Sequence, residues 1–194
     1  MAIINLHRGD FRTIKPVAQK LYQFWGGKKD QNFYATMMGI CAEYATITYL
    51  NEYLGAYPPI KFRTDYNNGC DGGYDFKMPD DLKWDVKCAG KNEKYDPVKV
   101  LKTKAQIICF TRRISSREYR INGFAPRSRL NASNIEQAGL IPIEMLPKMF
   151  PARFINAKSS AYERKYRTDL TRAGDLVQNT ILDLEVKLTM KGAA

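Results

Sequence analysis

Residues 82–88 read LKWDVKC, and this stretch does most to narrow the fold. Side chains alternate faces along a β-strand, so Trp84, Val86 and Cys88 form an apolar side while Asp85 and Lys87 share the other. Ten residues before Asp85, Asp75 stands between Tyr74 and Phe76. Met78, Pro79, Asp80 and Asp81 are turn formers, proline presetting the backbone and the aspartates stabilising the turn. The spacing therefore predicts a hairpin of strands 74–77 and 82–88 that brings the Asp75 and Asp85 carboxylates to one point beside Lys87.

The rest of the chain supplies a sheet and helices around that hairpin. A helix is expected over 13–24, with Pro16 in its first turn and a break at Gly26-Gly27. A longer one is expected over 30–54, where Ile40, Ile47, Leu50 and Leu54 lie beside a second stripe of Phe33, Met37, Cys41 and Tyr44. Gly55 and Pro58-Pro59 end it. A strand is expected at 60–66 ahead of the hairpin, then a short helix at 97–104, a buried strand at 105–111 (AQIICFT) and an alternating strand at 118–124. Helices are expected near 143–149 and 161–175. The class is α/β, and 194 residues without a repeat or a long linker predict one domain, its core at about 30–124 and a basic helical extension at about 143–194.

Several chemistries lack raw material. No apolar run is long enough to cross a bilayer and the first residues do not resemble a signal peptide, so a cytoplasmic location is expected, or a host cytoplasm if the chain is phage-encoded. The cysteines Cys41, Cys70, Cys88 and Cys109 contain no CxxC pair and read as reduced thiols rather than zinc ligands. His7 is the single histidine, which leaves Ser-His, Cys-His and histidine-metal catalysis unsupplied. No GxxxxGK[ST] loop occurs. A calcium loop beginning at Asp71 fails because Gly73 replaces its second ligand and Leu82 occupies the place of its bidentate glutamate.

What remains is the carboxylate pair. Two close carboxylates repel and raise each other's pKa unless a cation joins them. Oxygen donors favour Mg²⁺ or Mn²⁺, and Mg²⁺ keeps several waters while taking one or two protein carboxylates. Water activated by the metal can attack a phosphodiester, with Lys87 holding the phosphate or orienting the water. Glu43 falls on the stripe of Ile40, Ile47, Leu50 and Leu54 and so points inward as a third acid, whereas Glu52 lies off it.

YDF at 74–76 followed by WDVK at 84–87, after a helix carrying an inward glutamate, resembles the PD-(D/E)XK nuclease superfamily. The resemblance spans roughly 30–124 and implies a restriction-endonuclease-like αβββαβ core, a central mixed sheet flanked by helices, with helical additions at both ends. It implies a Mg²⁺-dependent DNA nuclease that hydrolyses phosphodiester bonds, with an endonuclease as the expected form. Asp75 and Asp85 would be metal ligands, the main-chain carbonyl of Val86 a further one, Lys87 the catalytic lysine and Glu43 an accessory acid and ligand. Tyr74 stands where the family name has proline, and Asp85 takes the position of the alternative glutamate.

The charge of the chain, 31 Lys plus Arg against 20 Asp plus Glu, is that of a protein that attracts polyanions. Arg112, Arg113, Arg117, Arg120, Arg127 and Arg129 face only Glu118 within their stretch, and Arg164 and Arg167 lie together on the expected late helix. These eight arginines are the expected phosphate contacts. A branched-DNA or Holliday-junction nuclease, an RNA nuclease of the same fold and a non-catalytic nucleic-acid-binding protein stay open as alternatives, as does a homodimer.

Overall fold

In a computed structural model, residues 2–24, 32–56, 59–64, 73–78, 82–135 and 139–149 are described. Five strands form a single mixed sheet in the order β1 (Ala2–Asn5), β5 (Glu118–Pro126), β4 (Ile107–Arg113), β3 (Lys83–Ala89), β2 (Phe76–Lys77). β3 and β4 are parallel, and the other neighbouring pairs are antiparallel. The parallel pair needs a crossover, which contains the short helix α3 (Pro97–Leu101). Asp96 caps α3, its side chain accepting from the N–H groups of Val98 and Lys99, and Pro97 takes the first helical position, where no N–H is needed.

One face of the sheet carries Trp84 and Val86 of β3, Ile107 and Cys109 of β4, and Tyr119, Ile121 and Phe124 of β5. Helices α1 (Phe11–Phe24) and α2 (Phe33–Thr48) close it with Ile14, Val17 and Ala18, and with Ile40, Cys41, Ala45 and Ile47. The opposite face carries Ala89, Ile108, Phe110 and Ala125, covered by Tyr95, Val100 of α3, Leu130 and Ile135. β4 is thus buried on both sides, which is why its sequence reads as a continuous apolar run. Trp84 is fully buried, stacked on Phe76 at 5.8 Å between ring centroids and 5.4 Å from the Phe124 ring. Those contacts fix β2 to β3 through side chains, since only two residues of β2 pair with its neighbour.

Two expected elements differ. The strand expected at 60–66 does not form over 59–64: Asn51 donates to the carbonyl of Ile60 and accepts from its N–H, both at 2.8 Å, so the residue that would open a ladder is already satisfied. Residues 65 and 66 lie outside the described residues. In its place the sheet gains β1, whose Ala2 and Ile4 are buried while Ile3 and Asn5 face out. The described order is therefore β-α-α-β-β-α-β-β, an α/β fold without the first strand of the expected αβββαβ series.

The helix boundaries also move. α1 begins two residues earlier than expected, which puts Pro16 inside the helix on its exposed side. Asn32 caps α2 by accepting from the N–H of Ala35 at 2.6 Å, and after Thr48 the helix relaxes into a π-helical turn, Tyr49–Tyr53. Gly55 follows at φ 71°, the left-handed conformation that ends helices. Around 143–149 only a 3₁₀ turn (Ile143–Met145) and a single turn α4 (Leu146–Met149) are present. The expected helix at 161–175, with Arg164 and Arg167, and the turn residues 79–81 lie outside the described residues. Among the described residues no helix is long and apolar enough to cross a membrane.

Candidate functional site

The end of β2 is where the charged residues meet. The N–H of Asp75 donates to the carbonyl of Trp84 at 2.8 Å, and its Oδ2 accepts from the N–H of Val86 at 2.6 Å. A side chain thus replaces the acceptor that a longer β2 would offer, so the ladder stops and a carboxylate is fastened to the edge of β3. A strand residue's N–H and C=O point to the same edge, so the carbonyl of Val86 is presented on the side where Asp75 sits. Asp85 is 4% exposed, and its Oδ2 lies 2.7 Å from Lys87 Nζ. Register places Asp85 beside Ile108 and Lys87 beside Phe110, on the face opposite α2.

This packing sets the electrostatics. Burial raises the Asp75 carboxyl well above the usual carboxylate range, and the neighbouring Asp85, close enough to share a hydrogen bond, raises it further. The Val86 N–H and the Lys87 ammonium pull the other way without cancelling the first two. Asp75 and Asp85 therefore share a site carrying more negative charge than Lys87 alone offsets, and a proton or a cation stabilises it. Two carboxylates and a strand carbonyl match the donors that Mg²⁺ accepts with water completing its shell.

Glu43 is 3% exposed on α2, inward as its spacing predicts. α2 packs on the face that carries Trp84 and Val86, and Asp85 projects from the other. Among the described residues no three His, Cys, Asp or Glu side chains are grouped to hold a metal. The described thiols offer no alternative chemistry. Cys41, Cys88 and Cys109 are free, and burial pushes Cys88 up to about 11 and Cys109 up to about 12, which keeps both protonated at neutral pH. Gly73 has φ 81°, and an added Cβ would lie 3.1 Å from the Lys104 side chain; its carbonyl accepts from Lys104 N–H and the Thr103 hydroxyl. Its close neighbour is therefore the 103–104 segment.

The arginines divide into unlike roles. Arg112 Nη1 donates to the carbonyls of Gly90, Lys91 and Glu93, and its guanidinium lies over the Tyr95 ring at 5.4 Å. Arg127 donates to the carbonyls of Leu101 and Leu130. These two tie loops to the sheet. Arg113 covers the Tyr34 ring of α2 at 4.7 Å, and Arg120 Nε donates to Asn122. Arg117 is exposed in the β4–β5 turn, and Arg129 is half-buried after β5.

Other cations stand nearer the carboxylates. Lys77 and Lys83 lie 5.6 and 5.3 Å from the centroid of the Tyr74 ring. Lys61 and Arg63 line a groove shared with Tyr74, Asp75 and Lys77. Their sequence signal was the alternation of Ile60 and Phe62, which pack inward, with Lys61 and Arg63 between and after them.

Compared with known proteins, the chain matches no family model, no curated protein and no solved structure.

Proposed function

We propose that the chain is a Mg²⁺-dependent nuclease that hydrolyses phosphodiester bonds of DNA, built on a variant of the restriction-endonuclease-like core. The observation that carries this reading is the placement of Asp75 and Asp85 in mutual contact, with Lys87 2.7 Å from Asp85. Folding alone does not favour two adjoining carboxylates in a largely buried position, since their repulsion and desolvation both oppose it.

Asp75, Asp85 and the Val86 carbonyl would hold the metal, which supplies an activated water and polarises the phosphate when bound. Asp75 is aligned by the Val86 N–H, so its carboxylate is positioned before any ligand arrives. Lys87 is held over the same point by Asp85 and is the cation placed to meet a phosphate oxygen or the leaving oxygen. Buried Trp84 and Val86 fix the strand from behind, so the pair faces its ligand from a rigid support.

The test is incubation with Mg²⁺ and linear, circular, single-stranded and branched DNA, and RNA, beside Asp85→Ala. Cleavage by the wild type is expected to fall at least 10²-fold in the variant, an order-of-magnitude loss for a missing ligand, while circular dichroism shows the same fold. Full activity in Asp85→Ala would sink the assignment.

A further inference from the structure

A groove of about 710 Å³ is lined by Asp75 of the carboxylate pair, with 59–64 on one wall and 74–77 on the other. Among its described lining Lys61, Arg63 and Lys77 are cations and Asp75 is the sole acid. The 59–64 wall is firmly held, because Asn51 clamps Ile60 through both backbone groups and Phe62 packs edge-on against Tyr44 with centroids 5.1 Å apart. Ile60 is buried while Lys61 is exposed, so the core that anchors this wall also turns its charge outward. The other wall follows β2, the last strand of the sheet, where Lys77 is exposed beside the half-buried Tyr74 ring.

We infer that this groove holds the phosphodiester strand flanking the cleaved bond, with Lys61 and Lys77 on its phosphates and the next phosphate delivered to Asp75 and Asp85. The inference rests on the nuclease reading for what happens at the carboxylates. It rests on charge complementarity for the strand itself: cations on both walls suit a chain carrying a negative charge on every residue. DNA and RNA share that backbone, and the Tyr74 face beside Lys77 accepts a base of either by stacking.

The full chain is compared with its Lys61→Ala/Lys77→Ala and Lys61→Arg/Lys77→Arg variants. Binding of short 5′-labelled single-stranded DNA and RNA oligonucleotides of one sequence is measured by fluorescence anisotropy without metal, and cleavage is measured with Mg²⁺. Both lysines are exposed, so both variants are expected to fold. The alanine pair is expected to weaken binding about 10-fold near 0.1 M salt and to reduce the log–log salt slope by about 1.4, which is two phosphates at ~0.7 each. KM for cleavage should rise with kcat retained, and the arginine pair should restore both. Equal binding and an unchanged slope in the alanine pair would overturn the groove whether or not the chain cuts DNA, as would failure of the wild type to bind either oligonucleotide. Lysine-dependent binding with no Mg²⁺-dependent product supports the groove and removes the nuclease reading.

Discussion

Asp75 is the residue in which fold and candidate chemistry conflict most. Its carboxyl is raised by burial and by Asp85, so the native state holds a proton there more tightly than the unfolded chain, whose aspartate titrates near 3.9. The sign follows: native Asp75 contributes stability below about pH 4, and that contribution is lost as pH rises toward the raised native value. In metal-free buffer the wild type should lose stability at this site as pH rises above the unfolded value of about 4. Asp75→Asn keeps an acceptor for the Val86 N–H and removes the charge, so it should flatten that decline and have the higher Tm at neutral pH. Millimolar Mg²⁺ should raise the Tm of the wild type and leave that of Asp75→Asn nearly unchanged. Thermal denaturation followed by circular dichroism checks both, and an identical pH slope in the two proteins would exclude Asp75 as the titrating group.

At the scale of elements, patterns of period were legible and backbone competition was not. α1, α2, β3, α3, β4 and β5 all occur close to their expected positions because each has a burial pattern or a cap readable from residue type. The Asp75–Asp85–Lys87 juxtaposition was legible for the same reason, since strand alternation and one turn suffice to produce it. The strand expected at 60–66 failed on the Asn51 side chain, nine residues away, whose claim on Ile60 no local window contains. β1 was missed because four residues, AIIN, give too little alternation to stand out until β5 pairs with them. Glu43 was read correctly as inward, but which face of the sheet its helix covers is a tertiary fact.

The arginines are a different case, since a guanidinium is as good a donor to a loop's carbonyls as to phosphate. Arg112→Met removes three carbonyl contacts and should cost about 2 kcal/mol, read as a Tm lower by roughly 4–8 °C, with oligonucleotide affinity changed less than ~2-fold. Exposed Arg117→Ala should leave Tm in place, so a large Tm loss there would contradict its placement in the turn.

For the whole molecule, the net charge is +11, and the cations of the described residues lie on distinct surfaces. Lys61 and Lys77 border the carboxylate groove, while Arg8, Arg12 and Lys15 line a separate hollow along α1. Arg112 and Arg127 donate to internal carbonyls and also add to the long-range field. Long-range attraction and close contact should therefore separate experimentally. If about four phosphates of a duplex are neutralised, affinity should fall about 10²-fold between roughly 50 and 200 mM salt, because each released counterion contributes a slope near −0.9. Asp85→Asn, which binds without cutting on the proposed reading, allows that titration with Mg²⁺ present, where the carboxylate pair no longer repels the backbone at full strength. A steep slope would mean that the surface cations meet phosphates directly. A flat one would mean that the +11 acts only as a diffuse field, and the carboxylate site would then need a substrate other than a nucleic-acid backbone.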